Sequence, residues 1–339
     1  MTQRHSDDPP VLDIVIVNWN TGACLRECLR SVADARRTAY TLHAVVVVDN
    51  ASTDDSMDAV ADLNRQPGLP LRFLRNRDNR GFAVACNQGA RAAKDAGPAG
   101  YVLFLNPDTV LFPETLDLAV GFLHRPEQAR VGICGGQMVG DGGEFESSCS
   151  RFPTLPMALA KTTGLARLMP GRVPRQRLSP AETGGSGPVD QVIGAFFLIR
   201  RPLFDRLGGF DERYFVYYEE VDLAYRARRA GYGCYFLADA LVRHRGGVST
   251  GQVPGRRLFY SLRSRTEYAR AHWPRRQAWA LMALILGVEL PVRAVRALGP
   301  APGPAGGRTG ELRAVAEAAR CYGGYAVGLT ASALRPARG

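Results

Sequence analysis

Hydrophobic and polar positions switch between two periods along the first part of the chain. Val11–Val17 is a nearly unbroken apolar run of strand length. Leu25, Cys28, Leu29 and Val32 then recur at helical spacing. The exchange repeats with a β-branched run at Ala44–Val48 and a short helix over Asp54–Leu63, for which Ser52 or Thr53 is the cap. A strand at Leu71–Leu74, a helix at Phe82–Lys94 that stops at Gly97, and a strand at Tyr101–Leu105 follow. Pro113 opens a helix that runs to His124, and Val131–Cys134 is again a strand. This alternation predicts an α/β chain with a mostly parallel sheet and helices on both faces. Ligands of such sheets sit outside the carboxyl ends of the strands, so the residues after each strand carry the functional question.

The pattern then loosens. Gly164–Pro188 is rich in Gly, Pro, Ser and Arg and reads as a long mobile loop. The core resumes with a strand at Gln191–Arg200 and a helix from Tyr218 to Ala230 that ends at Gly231. A Pro/Gly linker at 299–310 separates two C-terminal helical segments, Gly255–Leu298 and Glu311–Leu334. Residues 1–10 are polar and expected to be disordered. The longest apolar run is Ala278–Leu290. It is shorter than the roughly 18–20 residues of a membrane span, but long enough to lie in an interface.

Composition adds bounds. A chain of 339 residues with 46% apolar and 22% charged side chains can bury a core without metal or disulfide staples. It is long enough for one large α/β domain with additions, or two smaller ones. Its seven Cys include no C-x-x-C pair, and with no secretion signal they are expected to be free thiols in a reducing, cytoplasmic setting. The net charge of +11 suits anionic lipid, phosphorylated substrates or nucleic acid without choosing among them.

Three strand ends carry amide and acidic groups: Asn18-Trp19-Asn20, Asp49-Asn50-Ala51-Ser52-Thr53-Asp54 and Asn106-Pro107-Asp108. Each alone is explained by turn and cap preferences. Together they outline a polar edge able to bond a base or ribose. Asp108, after a stiffening proline, is a candidate ligand for Mg²⁺ or Mn²⁺, ions that take one or two carboxylates plus substrate phosphates. Asn79-Arg80-Gly81-Phe82-Ala83 opens a helix, where free amides suit a phosphate. The densest cluster is Phe210-Asp211-Glu212-Arg213-Tyr214-Phe215-Val216-Tyr217-Tyr218-Glu219-Glu220-Val221-Asp222. Acid-first charge order along a helix explains part of it. Adjacent carboxylates behind aromatics would also make a general base beside a sugar-stacking surface. His244 ends an apolar run and is a candidate second metal ligand.

Other patterns carry less. Gly247-Val248-Ser249-Thr250-Gly251 matches a nucleophile elbow, but only His272 and a few carboxylates follow it. There is no phosphate-loop or G-x-G-x-x-G string. A nucleotidyltransferase would want basic residues after the first strand, where Asn18-Trp19-Asn20-Thr21-Gly22 has none.

These motifs, in this order from Leu12 to Ser249, resemble glycosyltransferase family 2, and in particular its bacterial rhamnosyltransferase-like members. The resemblance rests on Val17-Asn18-Trp19-Asn20, Val48-Asp49-Asn50-Ala51-Ser52, Asn79-Arg80-Gly81-Phe82, Asn106-Pro107-Asp108, Gly208-Gly209-Phe210-Asp211, Tyr218-Glu219-Glu220-Val221-Asp222 and His244. It implies a GT-A (Rossmann-like) fold over residues 11–250, with a nucleotide-sugar half to about 135 and an acceptor half beyond. It also implies inverting transfer from a nucleoside-diphosphate sugar to a hydroxyl.

In that reading Asn18, Asn20, Asp49, Asn79, Arg80, Gly81, Asn106 and Asp108 face the donor. Asp108 and His244 hold a divalent metal, with Asn106 where the family's D-x-D motif has its first Asp. Glu220 is the base, with Glu219 as the alternate. Gly209, Phe210, Asp211, Tyr217 and Tyr218 meet the acceptor. The donor is expected to be dTDP-rhamnose, with UDP- or GDP-sugars as variants, and the acceptor a glycan or a polyprenyl-linked sugar of cell-wall or surface-polysaccharide synthesis. Trp273, Arg275, Arg276, Trp279, Arg293 and Arg296 flank the apolar run, so residues 273–298 are expected to touch the inner face of the cell membrane. No nucleic-acid partner is expected.

Overall fold

The computed structural model describes residues 9–94, 100–164, 175–299 and 307–334. Its contacts divide the chain into two units. The first comprises Met1–Phe152, Arg177–Glu212 and Glu219–Ser249, and the second Pro153–Gln176, Arg213–Tyr218 and Thr250–Gly339.

The first unit begins β1 (Val11–Asn18), α1 (Cys24–Ala33), β2 (Thr41–Asp49), β3 (Leu71–Arg75), α2 (Phe82–Lys94) and β4 (Tyr101–Leu105). It continues with β5 (Thr109–Leu111), α3 (Thr115–His124), β6 (Val131–Val139) and β7 (Cys149–Ser150). After α4 (Leu155–Thr163), which belongs to the second unit, come α5 (Pro180–Thr183), β8 (Gly187–Val189), β9 (Gln191–Val192), β10 (Phe196–Arg200), α6 (Arg201–Arg206), α7 (Glu219–Arg229) and β11 (Gly233–His244). Among the described residues the main sheet has nine strands in the order β3-β2-β1-β4-β10-β6-β11-β5, with β8 added on β11. β10 runs antiparallel to β4 and β6, and β5 and β8 run antiparallel to β11. The other pairs are parallel.

The continuous apolar runs have a direct physical reason. Alternate residues of β1 and β2 enter different cores. Ile14, Ile16, Val45 and Val47 pack with Leu25, Leu29 and Leu116 on one face. Val15, Val17, Val46 and Val48 pack with Ala83, Cys86 and Leu223 on the other. Burying each such side chain contributes about 1.5–3 kcal/mol, which a strand exposed on one face would gain only at every second position.

Several sequence expectations shift. The helix expected at Asp54–Leu63 is a 3₁₀ helix at Asp58–Arg65. Ser52 and Thr53 do not cap it. The Ser52 hydroxyl accepts from the Asn20 backbone amide at 3.0 Å, and the Thr53 amide donates to the Asn20 side chain at 2.7 Å. The strand expected to stop at Cys134 runs to Val139. It passes through Gly135-Gly136, and Gly136 allows close approach, since a Cβ there would meet the Ala240 carbonyl at 2.2 Å. The mobile loop expected at Gly164–Pro188 is anchored in its later part. The Leu178 amide donates to the Cys149 carbonyl at 3.0 Å, and β8 pairs with β11. Residues 165–174 of that loop, and residues 1–8 of the expected disordered start, lie outside the described residues. All seven cysteines are free thiols.

The second unit adds α8 (Pro254–His272), α9 (Arg275–Leu284), a π-turn (Ile285–Glu289), α10 (Leu290–Leu298) and α11 (Gly307–Leu334). Pro274, which caps α9, breaks the single segment expected at Gly255–Leu298. The last helix starts at Gly307 rather than Glu311, and residues 300–306 of the linker lie outside the described residues. Leu262, Ala269, Leu281, Ile285, Leu290 and Tyr322 form the core of this unit. Arg265 pairs with Glu289 inside it, and Arg293 adds a second contact to Glu289 at 3.0 Å. Arg275–Leu298 is one helical run of 24 residues, apolar and long enough by length and composition to cross a membrane. That corrects the expectation of a run too short to span. Glu289 is accommodated within this run because it pairs with Arg265 and Arg293.

Candidate active site

The site is built on one edge of the main sheet. Parallel pairing sets Asn18 of β1 beside Asp49 of β2, and Ile16 beside Leu105 of β4. Antiparallel β10 delivers its amino end to the same edge, where the Ala195 carbonyl accepts from the Asn106 amide at 3.0 Å. β11 arrives through β5, which pairs Thr109 with His244.

Asn18 is fully buried. Its Nδ2 lies 3.1 Å from Asp49 Oδ1, 3.0 Å from Ser52 Oγ and 2.9 Å from Ser56 Oγ. The Thr21 hydroxyl donates to its Oδ1 at 2.5 Å. Asn20 takes a left-handed φ of 51° and reaches across to the 52–53 segment. The Gly22 amide donates to Asp54 at 2.8 Å. Burial works against the Asp54 charge, but hydrogen bonds from Ser56 and the Gly22 amide outweigh it and hold the carboxyl below its usual range. The exits of β1 and β2 are thus one cross-linked polar unit, with the Asp49 carboxylate at its centre.

Asn50, 2% exposed, organises the next turn. Its Nδ2 donates to Asn79 Oδ1 at 2.9 Å and to the Gly81 carbonyl at 3.2 Å. Its Oδ1 accepts from Asn76 at 3.0 Å and from the Arg80 amide at 3.1 Å. Asn79, Arg80 and Gly81 are therefore held at the start of α2 with the Arg80 side chain exposed. Sequence reasoning named Asn79, Arg80 and Gly81 but missed the residue that sets them.

Asp108 and His244 come together, with Nε2 3.5 Å from Oδ1 and both side chains about nine-tenths covered. The Arg245 amide donates to the Asp108 carbonyl at 3.1 Å and fastens that turn to the end of β11. Among the described residues no three or more His, Cys, Asp or Glu side chains cluster as a metal site. One carboxylate and one imidazole fit a divalent ion that takes its remaining ligands from a diphosphate, and do not fit a closed structural site.

Glu219 and Glu220 open α7, and their environments differ. Glu219 is buried, and its Oε2 has no hydrogen-bond partner among the described residues. Burial, and then the neighbouring Glu220 charge, push its carboxyl well above the usual range. Glu220 is half-buried. Its Cγ lies 3.6 Å from where a Cβ on Gly194 would stand, one residue from the Ala195 carbonyl that receives Asn106. Glu220 thus lies beside the Gly194–Ala195 segment at the sheet edge.

The residues expected to meet the acceptor separate. Phe210 is 2% exposed, with its ring 4.7 Å from Phe104, 5.6 Å from Phe204 and 6.0 Å from Phe197. It anchors the turn and presents no face for sugar stacking. Gly209 is also covered. Its φ is +76°, and a Cβ would meet Asn87 Oδ1 at 2.5 Å, so its role is conformational. Asp211 remains partly exposed beside them. Tyr217 and Tyr218 fall in the second unit and both take φ of 70°, a strained conformation for tyrosine. Arg226 of α7 donates to the Leu207 and Gly209 carbonyls at 2.7 and 2.9 Å and pairs with Asp222 at 2.6 Å. Asn87 and Arg226, both missed from sequence, hold the 207–210 turn. The available signal for Asn87 was a lone amide on an apolar helix face.

A model of the family described as glycosyl transferase family 2 matches residues 13–208, more than half of the chain. The chain belongs to glycosyltransferase family 2. It is 31% identical over 264 residues to an N-acetylglucosaminyl-diphospho-decaprenol L-rhamnosyltransferase of Mycobacterium tuberculosis, covering 73% of this chain and 80% of that one. Over 163 residues it is 27% identical to the rhamnosyltransferase WbbL of Escherichia coli, covering 47% and 56%. The structure of the mannosyltransferase PcManGT from Pyrobaculum calidifontis, in complex with GDP-Man and Mn²⁺, superposes with a TM-score of 0.52 at 20% identity, over 94% of this chain and 87% of that one. At that identity the likeness is one of fold. This family 2 chain has the GT-A architecture with added C-terminal helices, and it is a glycosyltransferase.

Proposed function

We propose that this glycosyltransferase moves rhamnose from dTDP-rhamnose to a hydroxyl of a polyprenyl-diphosphate-linked sugar in cell-wall or surface-polysaccharide synthesis, with inversion at the anomeric carbon. The observation that carries the sugar and the acceptor is the 31% identity to a rhamnosyltransferase whose name gives such an acceptor, maintained over 73% of the chain. The arrangement of the sheet edge supports the chemistry.

In this reading the linked Asn18–Asp49 unit receives the nucleoside base. Asn79, Arg80 and Gly81, at the start of α2, meet the ribose and phosphates, where free helix amides favour negative charge. Asp108 and His244 hold Mg²⁺ or Mn²⁺, which when bound offsets the charge that builds on the departing diphosphate. Asn106, at the position of the missing carboxylate, contributes a neutral oxygen, so the site leans on the diphosphate for the rest of its ligands.

Glu220 takes the acceptor proton as the hydroxyl oxygen bonds to the anomeric carbon. The bond from that carbon to the diphosphate oxygen breaks on the opposite face, which inverts the configuration. Burial, and then the Glu220 charge, raise the Glu219 pKa and so disfavour a second negative charge beside the base. Asp211 supplies acceptor contacts. Positioning of the two substrates and a prepared leaving-group site account for most of the acceleration.

The test has two steps. Thermal unfolding is followed with dTDP, UDP, GDP and CDP, each with and without Mn²⁺ or Mg²⁺, because a ligand of the folded state raises the transition by mass action. Transfer from the matching sugar nucleotide to a polyprenyl-diphospho-N-acetylglucosamine is then followed, with the product anomer assigned by NMR. Selective stabilisation by dTDP and an inverted rhamnoside are expected. Selective stabilisation by UDP or GDP would move the proposal to another donor, and retention of configuration would overturn the role of Glu220.

A further inference from the structure

The chain's positive charge is not spread along it. Residues 250–339 hold fourteen Arg and four Glu, ten of the net +11. The preceding 249 residues, substrate edge included, are nearly neutral. The same C-terminal region carries an uncovered apolar helix face. Along Arg275–Leu298, Ala278, Leu281, Leu284, Ile285 and Leu290 are packed in the core of the second unit, and Met282 is also buried. Trp279, Leu286, Val288, Val295 and Leu298 point outward, 36–68% exposed. From Gln277 to Val292 the only charged residue is Glu289, and it is turned inward to Arg265. The outward face is therefore apolar over about four turns. Arg275 and Arg276 stand before it and Arg293 and Arg296 after it.

We propose that this face rests on an anionic phospholipid bilayer, with the helix lying in the plane of the surface. An apolar stripe bounded by arginines and carrying a tryptophan suits the boundary between headgroups and acyl chains. Each arginine near an anionic surface adds about 1 kcal/mol of attraction. A second copy of the chain is the poorer occupant, because it would bring the same positive charge to the same face. Crossing the bilayer is poorer still. It would strip the buried half of the helix from its own core and leave the Arg265–Glu289 pair in hydrocarbon. The inference goes beyond the choice of sugar and stands whichever donor is used.

The full-length chain is sedimented with phosphatidylcholine vesicles and with vesicles in which roughly a third of the lipid is phosphatidylglycerol, without any sugar nucleotide. Binding to the anionic vesicles alone, weakened by salt, is expected. The exposed triple variant R275Q/R276Q/R296Q should bind about a hundredfold more weakly. L286S/V295S/L298S should bind at least about tenfold more weakly, because its lost apolar contacts lie outside the protein core. Both variants should keep the unfolding temperature of the parent, which separates lost binding from lost folding. Nucleotide-induced stabilisation is read separately, so a wrong donor does not disturb this result. No binding to anionic vesicles, or undiminished binding by both variants, would overturn the proposal. So would a carbonate-resistant membrane fraction, which marks a span, or a dimer in solution that L286S/V295S/L298S abolishes.

Discussion

Asn87 holds Phe210 by both edges of one peptide unit. Its Nδ2 donates to the Phe210 carbonyl at 2.8 Å and its Oδ1 accepts the Phe210 amide at 2.9 Å. The two residues are 123 apart in sequence, and both are buried. The contact ties α2, whose start carries the Asn79–Gly81 turn, to the turn that leads towards Glu219 and Glu220. Asn87→Ala removes both of these hydrogen bonds, and the one Nδ2 donates to Glu212 Oε1 at 3.1 Å, and leaves the buried N–H and C=O of Phe210 unpaired, so a loss of about 2–4 kcal/mol is expected. Asn87→Asp keeps the acceptor and loses the donor, and should fall between the parent and Asn87→Ala. Chemical denaturation of the three proteins checks the order. Equal stability would mean that the turn holds itself.

Glu220→Gln keeps the shape of the side chain and removes its basicity. Transfer should fall about 10²–10⁴-fold, the usual worth of a positioned base, while nucleotide binding stays intact. Glu219→Gln should retain most activity, because burial and the Glu220 charge raise the pKa of the carboxyl it replaces, which disfavours its charged form. Steady-state rates for both, alongside thermal shifts with nucleotide, decide the matter. A larger loss from Glu219→Gln than from Glu220→Gln would exchange the two assignments.

The Glu219 carboxyl also makes stability depend on pH. Burial and the Glu220 charge raise its folded-state pKa above the ordinary glutamate value. The folded chain therefore holds this proton where the unfolded chain releases it. The contribution is full below the unfolded pKa and is lost as pH rises towards the folded one. Unfolding free energy from acidic to mildly alkaline pH should thus decline more steeply in the parent than in Glu219→Gln. Identical slopes would show that Glu219 does not titrate differently on folding.

Asp108 and His244 should act as a pair. Asp108→Ala should weaken Mn²⁺-dependent stabilisation by nucleotide and raise the KM for the donor. His244→Ala should do the same to a smaller degree, and the double variant should lose less than the sum, as expected for groups sharing one ion. Isothermal titration with nucleotide in the presence and absence of metal provides the cycle. Strict additivity would argue that the two side chains do not hold a common ligand.

Much of the chain's character was legible without coordinates. The unbroken apolar runs at β1 and β2 required a sheet covered on both faces, because no other environment buries every residue of a strand. The order of Asn18, Asp49, Asn79 and Asp108 after successive strands and turns pointed to one end of the sheet, because parallel strands bring their carboxyl ends together. The apolar helix between arginines was visible as composition.

Tertiary structure alone decided the rest. Phe210 reads as an exposed stacking ring beside acidic residues, yet three other phenylalanines enclose it. Glu219 and Glu220 are the same side chain in sequence, and only the fold buries the first, raising its carboxyl pKa, while the second stays half-buried. Asn50 lies within a strand-end motif and Asn87 in none, but neither shows what it holds, since their partners are distant in sequence. The inward turn of Glu289 towards Arg265 converted an interrupted apolar run into a continuous outer face. Periodicity and strand order are local properties that a sequence states directly. Which of two like residues is covered, and what a buried amide holds, depend on elements that meet only when the chain has folded.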